Sequence, residues 1–115
     1  MSCGPDAVIV EERIYTVLPG KMKAFLTLVE HEGLPIQRPY LGEPLGYFTT
    51  ETGELNQVVH WWGYESMADR EQRRAQLSAD PGWIEFAPKV LSLLARMENR
   101  ILLPTAFSAL GATAR

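Results

Sequence analysis

Two short runs of this chain alternate side chains that could do chemistry. Glu11, Arg13 and Tyr15 recur at every second position of Val8-Ile9-Val10-Glu11-Glu12-Arg13-Ile14-Tyr15-Thr16-Val17. His60, Trp62 and Tyr64 do the same in Val58-Val59-His60-Trp61-Trp62-Gly63-Tyr64. Successive side chains of a strand point to opposite faces, so each trio shares one face. Together they supply a carboxylate, a guanidinium, an imidazole, an indole N–H and two phenols. Histidine is the usual proton carrier near neutral pH, with an unperturbed pKa of about 6.5, which makes His60 the candidate catalytic acid/base. Arg13, Tyr15 and Tyr64 are candidates to orient a polar substituent, Trp62 to stack on a ring, and Glu11 to complete the wall. The bland reading is a Glu11–Arg13 ion pair and a hydrogen-bonded histidine in a packed interior, the commoner fate of any one such residue. As a set they read as a pocket wall, because a face that needed only packing would use aliphatic side chains and avoid burying polar groups.

The elements that must position these residues follow from periodicity. A strand is expected over Ala7–Leu18, ended by Pro19-Gly20. Met22, Phe25, Leu26 and Val29 then mark one buried face of a helix, which Gly33 and Pro35 should break or end. Residues 36–44 read as a loop, Leu45–Thr50 as a short strand, Thr52-Gly53 as a turn and Leu55–Tyr64 as a third strand. Ser66 is a good helix N-cap, with Asp69 at the third helical position. Asp80-Pro81 starts a second helical stretch whose buried stripe is Trp83, Phe86, Val90 and Leu94. Arg96–Leu103 reads as the last strand, ended by Pro104. The order is β-α-β-β-α-β, which predicts an α+β, ferredoxin-like domain with a four-stranded antiparallel sheet and helices on one face. One domain is expected over residues 7–108, with an N-terminal tail (1–6) and a C-terminal tail (109–115). In this topology the first and third strands are central neighbours, so the two trios should line one cavity under the helices. On the other face Val10, Ile14, Val59 and Trp61 would form an exposed apolar patch in a monomer, so a homodimer is expected.

Composition narrows the function classes. The 115 residues are enough for one domain with its own core, 46% are hydrophobic and 22% charged, and the net charge is -3. That balance offers no electrostatic reason to bind nucleic acid. The basic run Arg70-Glu71-Gln72-Arg73-Arg74 reads as a solvated helix face. No apolar segment approaches the roughly 18 residues of a membrane helix, and no basic-then-apolar leader is visible, so no membrane association and a cytoplasmic location are expected. Cys3 is the sole cysteine, so no intrachain disulfide can form. His31 and His60 lie on different elements and no metal-ligand spacing occurs. Gly42-Glu43-Pro44-Leu45-Gly46 lacks the strand-turn-helix setting of a phosphate loop, and Ser66 and Ser108 are explained as cap and tail. Neither a metal nor a cofactor is expected.

The chain also resembles the NIPSNAP family of the dimeric α/β-barrel superfamily. The matching pieces are Glu11-x-Arg13-x-Tyr15-Thr16-x-x-Pro19-Gly20-Lys21, Leu45-Gly46-Tyr47-Phe48-Thr49-Thr50-Glu51-x-Gly53-x-Leu55-Asn56, and Val58-Val59-His60-x-Trp62-x-Tyr64-Glu65-Ser66. Arg70, Asp80-Pro81-x-Trp83 and Ile101-Leu102-x-Pro104 with Phe107-Ser108 complete the match. Glu12 and Ile14 stand where the family's first strand more often has Leu and Thr. The resemblance implies two ferredoxin-like protomers packed sheet against sheet into a barrel with helices outside. Related families include small cofactor-free monooxygenases, stress-responsive barrel proteins and haem enzymes, but no established activity comes with the resemblance itself. Two functions are therefore expected in parallel. One is a binder of, or enzyme acting on, a small partly aromatic molecule, such as a cofactor-independent oxygenase or isomerase. The other is a noncatalytic homodimeric interaction or sensing module with a structural polar cluster.

Overall fold

Strand β1 (Ile9–Val17) leads into helix α1 (Met22–Leu28), which continues through a π turn (Val29–Gly33) into α2 (Leu34–Leu41). Strands β2 (Gly46–Thr49) and β3 (Gln57–Tyr64) follow, then α3 (Met67–Ser78), α4 (Pro81–Leu91), β4 (Leu94–Leu102) and a last turn of helix, α5 (Ala109–Ala112). These elements come from a computed structural model that describes residues 9–112. The expected N-terminal tail with Cys3, the first two residues of the expected first strand, and residues 113–115 lie outside the described residues.

All three strand pairings are antiparallel and the spatial order is β2-β3-β1-β4. This is the expected ferredoxin-like α+β topology, with β1 and β3 central and the sheet of the single chain open. The register puts Tyr47, His60, Arg13 and Asn99 in one row across the four strands. Trp62, Glu11 and Ile101 form the next row.

The face assignment follows the alternation. Val58, His60, Trp62 and Tyr64 of β3 are buried, while the residues between them are only half-buried. Val17 and Val58 pack with Phe25, Val29, Phe86 and Val90 of the helices in one part of the core. Ile9, Trp62 and Tyr64 pack with Leu41 and Leu77 in the other. Val10, Ile14, Val59 and Trp61 therefore belong to the face opposite the long helices, but not as the fully exposed patch expected, since Val10 is buried and the other three are half-buried. There the ring of Phe48 meets Trp61 edge-on, at 5.1 Å between centroids. Gly46 makes room for that pair, since a Cβ on it would stand 2.6 Å from the Phe48 ring.

Both expected caps form. The Ser66 side chain accepts from the Asp69 N–H at 3.0 Å, and the Asp69 carboxylate accepts from the Glu65 N–H at 3.0 Å. Asp80 accepts from the Trp83 N–H at 3.1 Å, with Pro81 at the first helical position. Two expectations are corrected. The helix is interrupted by the π turn that ends at Gly33 but is not ended there or at Pro35, and residues 36–41 are helix, not loop. Pro35 falls in the first turn of α2, where a missing N–H costs little, and the wider π turn before it absorbs the irregularity. Within the expected C-terminal tail, Ala109–Ala112 form α5. With the residues before it, α5 returns over the face opposite the long helices, where Leu103, Pro104 and Leu110 flank a groove floored by Val10 and Trp61.

Candidate functional site

Glu11 anchors the polar cluster under the helices. It has no exposed surface, although a lone buried carboxylate is costly, so its oxygens must be paired. The Arg13 Nη1 donates at 2.7 Å, Arg70 donates through Nε and Nη2 at 3.0 and 2.9 Å, and the Asn99 amide donates at 2.8 Å. Arg74 adds a looser ion pair at 4.0 Å. Burial raises the Glu11 pKa, but the bonds from Arg70 and Asn99 and the charges of Arg13 and Arg74 outweigh it and hold the carboxyl at about 2. The expected Glu11–Arg13 ion pair is thus present, and it is extended by groups from α3 and β4.

Arg13 also donates through Nε to the Tyr15 hydroxyl at 2.8 Å, so Glu11, Arg13 and Tyr15 form one hydrogen-bonded row on their strand. His60 sits beside this row. Its ring stacks on Tyr47 at 4.5 Å and meets Tyr15 edge-on at 4.7 Å. The Trp62 indole N–H donates to His60 Nδ1 at 2.7 Å. Nδ1 is therefore the acceptor nitrogen, and the proton of the neutral ring resides on Nε2. That Nε2 is buried and has no hydrogen-bond partner among the described residues. Burial first, then the nearby positive charge of Arg13, pulls the His60 pKa down to about 3. At neutral pH the ring is an uncharged donor at Nε2, which a ligand acceptor could use.

A cavity of about 170 Å³ lies between this part of the sheet and the helices. Arg13, Tyr15, Tyr47 and His60 line its sheet side, and Phe25, Val29, Phe86 and Val90 its helix side. Leu91 and Met97 at its margin are 48% and 46% exposed and mark the way in. The π turn shapes the helix wall: a Cβ on Gly33 would stand 2.9 Å from the Phe86 ring. Burial also pushes the Tyr47 phenol well above its usual value, so it stays protonated as a potential donor.

Of the six residues singled out from the sequence, Arg13, Tyr15 and His60 line the cavity. The other three stand behind it. Glu11 holds Arg13, Trp62 holds His60, and Tyr64 packs in the second part of the core with its phenol pushed up by burial. Trp62 therefore acts as a hydrogen-bond donor to His60 and does not offer its ring to the cavity. Sequence reasoning missed Tyr47, Arg70 and Arg74. Tyr47 was readable only through the register that pairs it with His60. The expectation that Arg70–Arg74 form a solvated face is corrected, because Arg70 and Arg74 turn inward to Glu11. The signal was the spacing of Arg70, Arg74 and buried Leu77 at i, i+4 and i+7 on one face of α3. Arg73, on the other side, bonds Asp69 at 2.8 Å.

These features define a ferredoxin-like α+β protein with a polar, aromatic-lined cavity under its helices. The NIPSNAP family pattern matches residues 10–109, and the chain belongs to the NIPSNAP family. It is 33% identical over 94 residues to a NipSnap homolog of Dictyostelium discoideum, a match covering 82% of this chain and 41% of that protein. The chain spans between 20% and 41% of the length of the first curated relatives it matches, among them proteins of Caenorhabditis elegans and Danio rerio. The crystal structure of a NIPSNAP family protein from Agrobacterium tumefaciens superposes with a TM-score of 0.85 at 53% identity, covering 87% of this chain and 95% of that one. At the level of fold alone, the chain matches a dimeric ferredoxin-like protein from an uncultured marine organism, with TM-score 0.69 and 9% identity over 90% and 92% of the two chains. It also matches a candidate antibiotic biosynthesis monooxygenase from Nitrosomonas europaea, with TM-score 0.58 and 14% identity over 81% and 94%. No helix among the described residues is long and apolar enough to cross a membrane.

Proposed function

We propose that this protein is a homodimer that binds a small, partly aromatic molecule in the cavity under its helices. The observation that carries the reading is His60: a neutral ring lining the cavity, held by Trp62 through Nδ1, with its Nε2 donor left without a partner. Buried donors are normally paired, so one left open beside a cavity is a site for an acceptor on a ligand. In the enzymatic form of the proposal, a cofactor-independent oxygenase or isomerase, His60 supplies a hydrogen bond from Nε2 to an oxygen that gains charge. Arg13 and Tyr15 orient the same substituent. A neutral histidine with a depressed pKa is suited to donation and poorly suited to act as a base. The cytoplasm is the proposed setting, in keeping with a chain whose one cysteine can form no intrachain disulfide.

The dimer part rests on the sheet face opposite the long helices, where Val59 and Trp61 are only half-buried and Phe48 is 47% exposed. Sheet-to-sheet packing there should bury more than about 1,000 Å². Sedimentation equilibrium at micromolar concentration is expected to give twice the chain mass, and a stable single-chain mass refutes it. For the cavity, one-ring compounds are expected to raise the wild-type melting temperature. His60→Ala should remain folded at a lower melting temperature and lose that response. An unchanged ligand response in His60→Ala refutes the role given to His60.

The second reading is a noncatalytic homodimeric interaction or sensing module. It is favoured by Glu11, whose oxygens are fully engaged by Arg13, Arg70 and Asn99 in the manner of a structural cluster. It predicts the dimer without any ligand response.

A further inference from the structure

We infer that the cavity takes an organic anion, a monocarboxylic acid with an apolar body about one ring in size, whose carboxylate is held by Arg13 and Arg74. This inference rests on the proposed small-molecule function and names the class of ligand.

The first support is charge. Arg13 and Arg74 line the cavity, and no aspartate or glutamate is among the lining residues. The sole carboxylate of the cluster, Glu11, sits behind the wall and faces Arg13, Arg70 and Arg74 together. Three guanidinium groups against one carboxylate leave two positive charges in excess. This occurs in a chain whose net charge is -3, so the excess is local. Tyr47 stays neutral through burial, and His60 is neutral near pH 7. Neither adds a compensating negative charge.

Unused donors point the same way. Arg13 spends Nη1 on Glu11 and Nε on Tyr15, and its Nη2 is not engaged in either bond. Arg70 has taken the bidentate place on Glu11, so Arg74 approaches that carboxylate only to 4.0 Å, beyond a good hydrogen bond; it lies against the Tyr64 hydroxyl and lines the cavity. His60 Nε2 is a third donor without a partner. Planar guanidinium groups match a carboxylate in geometry as well as charge.

Size and lining set the rest of the molecule. The volume is about 170 Å³, and a cavity of roughly 150 Å³ lined by apolar side chains holds one benzene ring. Phe25, Val29, Phe86 and Val90 provide an apolar wall opposite the arginines. An acid with a single ring or a short branched chain satisfies both sides, whereas an inorganic anion would leave the apolar wall uncovered.

Three probes of nearly equal shape separate the contributions: benzoate, neutral benzamide and cationic benzamidine, each titrated calorimetrically into the full chain at neutral pH. Benzoate is expected to bind at least about tenfold more tightly than benzamide, the worth of one charge-assisted contact, and benzamidine not at all. Arg74→Gln should remove that advantage by lowering benzoate affinity far more than benzamide affinity, and Arg74→Lys should restore part of it. Equal binding of benzoate and benzamide, or preference for benzamidine, overturns the anion assignment but leaves a small-molecule cavity standing. Absence of binding by all three at millimolar concentration overturns both. The wild-type comparison decides the matter even if a variant fails to fold.

Discussion

Replacing Glu11 with glutamine tests how much the buried cluster contributes to stability. The change is nearly isosteric but removes the charge that Arg13, Arg70 and Arg74 share. It also swaps one acceptor oxygen for an N–H₂ donor facing other donors. Glu11 has no exposed surface, while the side chains of Arg13 and Arg70 retain 15% and 19% exposure and can recover some hydration. Breaking a buried pair from one side costs about 3–5 kcal/mol, and the partial hydration of the arginines argues for about 3 kcal/mol. Linkage gives a similar figure, because lowering the carboxyl from 4.5 to about 2 corresponds to roughly 3 kcal/mol in favour of the folded state at neutral pH. For a domain of this length that is a fall of about 12 °C in melting temperature. The pH dependence carries the sign. A depressed carboxylate stabilises the fold fully above the unfolded value, near pH 4.5, and loses that contribution as pH falls toward 2. His60 also makes acid destabilising in both proteins, since the unfolded chain protonates it below about pH 6.5 and the fold does so only near 3; loss of the Glu11 charge pushes it lower still in the variant, which matters only at the acid end of the range. The gap between wild type and Glu11→Gln should therefore be constant from pH 7 to about 5 and close between about 4.5 and 2. Calorimetric scans of both proteins across that range make the measurement. A gap below about 3 °C at pH 7, or one that does not close in acid, refutes the account of Glu11 as a buried charged anchor.

Two further substitutions probe the helix wall, with Arg73→Ala as a surface control. Trp83, half-buried with its ring 5.3 Å from that of Phe86, should cost about 3 kcal/mol on truncation to alanine. Arg73→Ala loses a partly exposed bond to Asp69 and should cost less than about 1 kcal/mol, so equal urea midpoints for the two variants would place Trp83 outside the core. Gly33→Ala puts a Cβ 2.9 Å from the Phe86 ring, and overpacking of about 1–3 kcal/mol should exceed the helix-propensity gain. A more stable Gly33→Ala protein would show that Phe86 moves aside freely.

The alternation of Glu11, Arg13 and Tyr15 and of His60, Trp62 and Tyr64 determined, from the sequence alone, which side chains share a face. The period of 2 leaves a strand no other choice once one face is buried. The caps at Ser66 and Asp80 were equally legible, because capping is a local hydrogen bond between residues three apart. The continuation of α1 through Gly33 and Pro35 into α2 was not, since local propensity argues for a break and packing of Val29, Gly33 and Leu41 in the core overrides it. Nor could the sequence show that Asn99 and Arg70 reach Glu11 from positions 88 and 59 residues away, or that Tyr47 stacks on the imidazole. Those are matters of strand order and register, which are decided when distant segments are brought together over a common core. The same register turns Arg74 from a surface charge into a wall of the cavity, because the face of α3 that carries it also carries Leu77 into the core.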